Sequence, residues 1–133
     1  MKQLLLINLK PDNIPRAADW IESICRSEGL PEMDSYQVKT CVVEAINNAV
    51  EHAYGFGKGT INIGLWKEGR QMMIEISNDN ENSQSVDFAQ DAEPVPESER
   101  GRGWLIIKSW VDDAVMKRRG GRTVVRLTKR IPI

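Results

Sequence analysis

The chain has 133 residues, with 18 basic and 19 acidic side chains, a length typical of one domain. Because the charges nearly balance, net charge gives no reason to expect direct binding to nucleic acid or to a membrane surface. The apolar run at the N-terminus is too short for a signal peptide or a membrane span. We therefore expect a single cytoplasmic domain, residues 1–133, that recognises its partners through local sites.

The first half of the chain predicts a strand followed by two helices. The strand lies in "MKQLLLINLKPD", and Pro11 ends it. Asp12 and Asn13 can cap a first helix that runs to Gly29. A second helix is expected from about Met33 to Tyr54, where apolar residues recur at helical spacing without a proline.

Both cysteines, Cys25 and Cys41, fall inside these predicted helices. Two thiols buried in helix interiors are typical of a reduced protein, which favours a cytoplasmic location. A single disulfide is the less favoured alternative.

The second half predicts two hairpins separated by a long loop and a helix. Apolar residues alternate through "GTINIGLWKEGRQMMIEIS", and a second alternating stretch folds back on Gly120 and Gly121. Between them, residues 78–102 are polar and longer than a usual connection, and helical spacing resumes in "GWLIIKSWVDD". This order predicts an α/β (α+β) two-layer sandwich: a mixed, mostly antiparallel sheet, helices on one face and a long lid loop.

Glu44, Asn48 and His52 stand at four-residue intervals in the second helix. Side chains four apart lie above one another on a helix, so the three form a polar row beside the apolar stripe. A carboxylate there can act as a base, and an amide oxygen can bind a hard cation. Taken alone, the row also fits a solvated helix flank.

The segment "ESERGRGWLII" places Gly101 and Gly103 directly before an apolar helix, with Arg100 and Arg102 beside them. Glycines allow successive backbone N–H groups to point at one anion, and a helix N-terminus adds its positive end. The pattern indicates a phosphate-binding nest. A flexible loop before a helix is the alternative, because short glycine patterns occur by chance.

Together these motifs resemble the anti-sigma factor serine protein kinases of bacteria, which have the histidine-kinase-like ATPase fold. In "EAINNAVEHAYG" the family pattern is matched by Glu44, Asn48, Ala49 and His52. The family's arginine, Gly-x-Gly and aromatic-led helix resemble "ESERGRGWLII", and "GGRTVVRLTK" is similar to its final strand. The resemblance extends over nearly the whole chain.

The resemblance implies a site for ATP and Mg²⁺. Glu44 would be the base that activates a substrate serine, and Asn48 would bind Mg²⁺. The residues implied to contact the nucleotide are Asn48, His52, Arg100, Gly101, Arg102, Gly103 and Thr123. Few chemical groups are needed, because phosphoryl transfer depends mostly on positioning and on neutralising charge.

One motif departs from the family. Its Asp-x-Gly-x-Gly, in which the aspartate accepts a hydrogen bond from adenine, is replaced here by "ISNDNENS". Strand alternation gives the aspartate's position to Asn78, whereas a local register shift would give it to Asp79. A neutral acceptor binds the adenine amino group less strongly than a carboxylate, by about 1 kcal/mol.

The resemblance implies an ATP-dependent serine kinase that acts as an anti-sigma factor: it would bind a sigma factor and phosphorylate a STAS-domain antagonist, with homodimerisation as a family expectation. The altered motif leaves open a non-catalytic anti-sigma or adaptor protein. A detached catalytic domain of a two-component histidine kinase is less favoured, because the sole histidine, His52, belongs to the nucleotide pattern.

Overall fold

The chain folds into an antiparallel sheet that carries helices on one face. The computed structural model describes residues 3–8, 12–51, 60–79, 93–96, 100, 103–119 and 122–132. Within these ranges the strands are β1 (Gln3–Asn8), β2 (Thr60–Glu68), β3 (Gln71–Asp79), β4 (Glu93–Pro94), β5 (Asp113–Arg119) and β6 (Arg122–Arg130). The helices are α1 (Asn13–Ser27), α2 (Glu32–Glu51) and α3 (Trp104–Trp110).

The strands lie in the order β1-β2-β3-β6-β5-β4, and every neighbouring pair is antiparallel. The two predicted hairpins are confirmed as β2–β3 and β5–β6. Gly69 turns the first hairpin with a φ of 57°, a conformation that glycine adopts without a steric penalty. Pairing of β3 with β6 joins the hairpins and places the last strand in the middle of the sheet.

The core lies between the sheet and the helices. Alternate strand residues point to this side, as a period of two requires, and they are buried: Ile61, Ile63, Leu65, Met72, Ile74, Ile76, Val125 and Leu127. The helices contribute apolar residues at helical spacing to the same cluster, including Ile21, Val38, Val42, Ala45, Ile46 and Ile107. The predicted two-layer fold, with helices on one face, is confirmed.

The predicted loop 78–102 is not loop throughout. Asn78 and Asp79 still belong to β3, and Glu93–Pro94 form β4 against β5. Val95 follows β4 and is buried in the core. Because β4 is an edge strand, a proline is tolerated there without the loss of an internal sheet hydrogen bond, which explains why the polar, proline-containing sequence gave no strand signal.

Cys25 and Cys41 are free thiols and are buried, as predicted from their helical positions. No helix in the described ranges has the length and apolar character needed to cross a bilayer.

Candidate functional site

Helix α2 presents two of the three residues of the polar row. Glu44 is half-buried at the edge of the core, and Asn48 lies one turn further on with only 3% of its surface exposed. Their neighbours Ala45 and Ile46 are completely buried and hold this part of α2 against the sheet. His52 lies outside the described residues, so the third member of the row stays a prediction.

Asn48 has an unusual environment for a buried amide. Its Nδ2 has no hydrogen-bond partner among the residues that the structure describes. Leaving a buried donor unpaired costs about 1–3 kcal/mol, so such groups in native proteins need a specific explanation. A ligand that pairs with the amide is one such explanation.

Gly103 brings the start of α3 against the side chain of Glu44. A Cβ placed on Gly103 would overlap the Glu44 carboxylate and would lie 2.8 Å from its Cδ and 2.9 Å from its Cβ. Real Cβ atoms are essentially never this close to another heavy atom. The position therefore requires glycine, and it joins the predicted lid motif to the predicted catalytic carboxylate.

Arg100 is fixed near the same helix. Its Nε donates a hydrogen bond of 2.9 Å to the Val95 carbonyl, and its guanidinium lies 5.2 Å from the centre of the Trp104 ring. A cation over an aromatic face within about 6 Å is stabilised electrostatically. These contacts anchor the segment before α3, while Gly101 and Arg102 lie outside the described residues.

Thr123 is buried in β6, with 1% of its surface exposed, and is paired in register with Arg118 of β5. It alternates with Val125 and Leu127, so it lies on the side of the sheet that faces the helices. Thr123 already takes part in an interaction within the protein.

The backbone of β3 bears on the altered adenine motif. β2 and β3 pair without interruption from Glu68 opposite Gln71 to Thr60 opposite Asp79. Asn78 pairs with Ile61, two positions beyond the buried Ile76. The pairing contains no bulge that would shift the register.

Lys129 was not singled out from the sequence, yet it lies at a junction near the site. Its Nζ donates to the Trp110 carbonyl at 2.7 Å and to Gln37 Oε1 at 3.3 Å. One feature of the sequence points to it: Lys129 continues the alternation of Val125 and Leu127 along β6, and both of those residues are buried. A cation at such a position indicates an internal partner.

The pKa of Cys41, on α2, is affected by both Lys129 and Glu44. Burial raises the pKa of the Cys41 thiol to about 11; Lys129 lowers it and Glu44 raises it further, but both effects are smaller than that of burial. Cys41 thus lies within electrostatic range of both side chains.

Comparison with known proteins identifies the family and the fold of the chain. A model of the family described as "Histidine kinase-like ATPase domain" matches residues 7–129. A relative from Thermoanaerobacter sp. (strain X514), named "Anti-sigma F factor", is 26% identical over 98 residues, covering 71% of this chain and 68% of its own length. A second protein of that name, from Clostridium kluyveri, is 27% identical over 105 residues, covering 72% of each chain.

The catalytic domain of histidine kinase ThkA supports the fold, with a TM-score of 0.54 at 16% identity over 97% of this chain and 96% of that chain. The resemblance predicted from the motifs is therefore confirmed in sequence and in fold. The family model matches residues 7–129, which is most of this chain, and the chain therefore belongs to the histidine kinase-like ATPase domain family.

Proposed function

We propose that the protein is a cytoplasmic, ATP-dependent serine kinase that acts as an anti-sigma factor. It binds a sigma factor and phosphorylates an antagonist protein of the STAS fold. The contact between Glu44 and Gly103, one turn from the unpaired Asn48 amide, is the observation that carries the catalytic part. The names of the relatives support the sigma-factor part.

The residues present fit a nucleotide with its magnesium ion. An asparagine amide carries an acceptor and two donors, so the buried Asn48 can give Oδ1 to Mg²⁺ and Nδ2 to a phosphate oxygen. Mg²⁺ bound to ATP is usually held by one or two protein groups together with the phosphates. When bound, ATP supplies the phosphoryl group and Mg²⁺ neutralises its charge.

Glu44 is the base in this proposal. Its carboxylate accepts the proton of the substrate serine hydroxyl as that oxygen forms a bond to the γ-phosphorus of ATP and the bond to the leaving ADP breaks. Glu44 is half-buried, so part of the residue is accessible to a partner protein. Gly103 packs on the other side and limits the orientations of the carboxylate. A fixed base at the reacting oxygen lowers the entropic part of the barrier.

The remaining predicted residues complete the binding site. In this proposal His52 would lie close to the phosphates, and Gly101, Arg102 and Gly103 would close over them. Arg100 holds the preceding segment, and Thr123 would contribute from β6. The unbroken β2–β3 register supports Asn78, rather than Asp79, as the residue that meets adenine.

The proposal is tested with γ-labelled ATP, Mg²⁺ and a STAS-domain antagonist. The wild-type protein transfers label to a serine of the antagonist, and Glu44→Gln abolishes transfer while ATP binding, measured by calorimetry, changes less than about threefold. Glu75→Gln is the matched control. Glu75 lies away from this site and forms an ion pair with Arg126, with 2.7 Å between the two charged groups. Transfer that survives Glu44→Gln contradicts the assignment of the base.

A second candidate function is a non-catalytic anti-sigma factor or adaptor, and asparagine at position 78 favours it. A non-catalytic adaptor would capture the sigma factor equally well with and without ATP. Micromolar ATP binding in calorimetry excludes the adaptor, whereas nucleotide-independent capture of the sigma factor together with no ATP binding excludes the kinase. Homodimerisation, the remaining family expectation, is checked by sedimentation.

A further inference from the structure

Lys129 makes a contact that the proposed site does not by itself explain. Its side chain leaves β6 on the helix side of the sheet and ends between two helices. The ammonium group donates to the Trp110 carbonyl, at the last residue of α3, and to the Gln37 side chain of α2. One cation therefore ties together β6, α2 and α3.

The two ends of α3 meet α2 at two separate places. Gly103, which precedes α3, contacts Glu44, and Trp110, which ends α3, is joined through Lys129 to Gln37. The helix thus runs antiparallel to α2. Gln37 and Glu44 are seven residues apart, or about 10.5 Å along a helix, and the seven residues of α3 span the same length.

The chemistry at the Trp110 end suits a cation. The last carbonyls of a helix have no partner within the helix, and the helix dipole makes that end negative. A lysine that donates to such a carbonyl makes a charge-assisted hydrogen bond, which is stronger than a neutral one. A helix of only seven residues depends on tertiary contacts of this kind.

We propose that Lys129 is a positioning residue for the candidate kinase site: by fixing the end of α3 on Gln37, it fixes the start of α3 on Glu44. Two apolar side chains of α3, Trp104 and Ile107, are buried in the core and keep α3 attached to the protein without Lys129. These apolar contacts are non-directional, whereas the hydrogen bonds of the ammonium are directed. Loss of the ammonium therefore lets the Trp110 end of α3 move relative to Gln37, within the limits set by the hydrogen bond from the Asp112 amide to the Thr128 carbonyl just beyond it. The carboxylate of Glu44 then loses its defined orientation. The catalytic part of this inference depends on the proposed kinase function.

The variant that tests the proposal is Lys129→Met, which keeps the length and apolar stem of the side chain. Lys129→Arg is the conservative variant, because its guanidinium can still donate to both oxygens. Arg126→Met is the matched control: Arg126 is on the same strand but faces the other side of the sheet, where it pairs with Glu75 and lies 5.4 Å from the centre of the Trp66 ring.

The first measurement, hydrogen exchange, does not require nucleotide. The amide of Ile107 donates to the Gly103 carbonyl, and the amide of Val111 donates to the Ile107 carbonyl. We expect these two amides to exchange about tenfold or more faster in Lys129→Met than in Arg126→Met, when the two variants are compared at equal global stability. Lys129→Arg restores slow exchange. Equal exchange in the Met variants overturns the proposal, whether or not the protein binds ATP.

The second measurement is steady-state phosphoryl transfer. Because a misplacement of about 1 Å can cost up to about 100-fold in rate, Lys129→Met lowers kcat about 10- to 100-fold while KM for ATP changes less than about threefold. Arg126→Met leaves kcat within about twofold. If Lys129→Met and Arg126→Met lose the same amount of kcat, the positioning role is overturned. If the wild-type protein transfers no phosphoryl group, the kinase function is refuted, and the hydrogen-exchange result alone decides how α3 is held.

Discussion

Glu44 and Gly103 are 59 positions apart in the chain and are in direct contact where α3 begins. The contact needs both the α2 register that places Glu44 at the core edge and the packing of α3 along α2. It places the residue predicted to be the base beside the last glycine of the predicted lid motif. The glycine at 103 is thus required by a protein side chain, in addition to any role in binding phosphate.

Gly103→Ala should destabilise the protein, because the new Cβ overlaps Glu44. Over-packing of this kind costs about 1–3 kcal/mol. In the Glu44→Ala background most of the overlap is gone, so the same change should cost about 1 kcal/mol less. Urea unfolding of the two single variants and the double variant measures this coupling.

Gly69→Ala is the control for that cycle. Gly69 has a φ of 57° and nothing within 4 Å of a Cβ, so alanine is strained by about 1–2 kcal/mol through its backbone alone. Its cost should be the same with and without Glu44→Ala. Additive behaviour of Gly103→Ala with Glu44→Ala would show that the two residues do not touch.

The fold was largely predictable because periodicity reports burial directly. The alternation through Ile61, Ile63 and Leu65 predicted β2, and the stripe of Val38, Val42 and Ala45 predicted α2; each is buried as expected. The pairing of β3 with β6 and the short edge strand β4 were not predictable, because both depend on contacts between distant parts of the chain.

Asn48→Leu should separate stability from function. Leucine has a similar volume and removes the unpaired Nδ2, whose burial costs about 1–3 kcal/mol. We expect the free energy of unfolding to rise by about 1 kcal/mol and ATP binding to be lost. Thermal unfolding and calorimetry measure both, and a fall in stability would show that the amide is already satisfied.

The two cysteines should react slowly with thiol reagents in the folded protein. Burial raises the pKa of Cys25 to about 12 and that of Cys41 to about 11. At pH 8 the folded protein then holds at least about 100-fold less thiolate than a thiol of the ordinary pKa of 9.0. Ellman's reagent should modify both thiols only as the chain unfolds, and rapid modification under native conditions would contradict their burial.

The same shifts predict loss of stability at alkaline pH. Above pH 9.0 the unfolded thiols release their protons while the folded ones keep them until about pH 11 or 12. The folded state therefore binds more protons, and the free energy of unfolding falls as the pH rises through this range. Replacing both cysteines with alanine should flatten the decline, measured by urea unfolding between pH 8 and 10.

The candidate site was less predictable than the fold. The spacing of Glu44 and Asn48 was visible because both lie on one helix, where four residues make one turn. The sequence alone does not identify Lys129 as part of the site, because its two partners, Gln37 and Trp110, are separated from it by 92 and 19 positions. A single cation in a strand identifies its partners only when the topology is known.

Asn78→Asp tests the altered adenine motif. The unbroken register places Asn78 two residues beyond Ile76, and a carboxylate accepts a hydrogen bond more strongly than an amide, by about 1 kcal/mol. We expect the Kd for ATP to fall about fivefold, with the Kd for GTP unchanged because guanine has no amino group at that position. Asp79→Asn should leave both constants within about twofold. If Asp79→Asn weakens ATP binding and Asn78→Asp does not strengthen it, Asp79 is the residue that meets adenine.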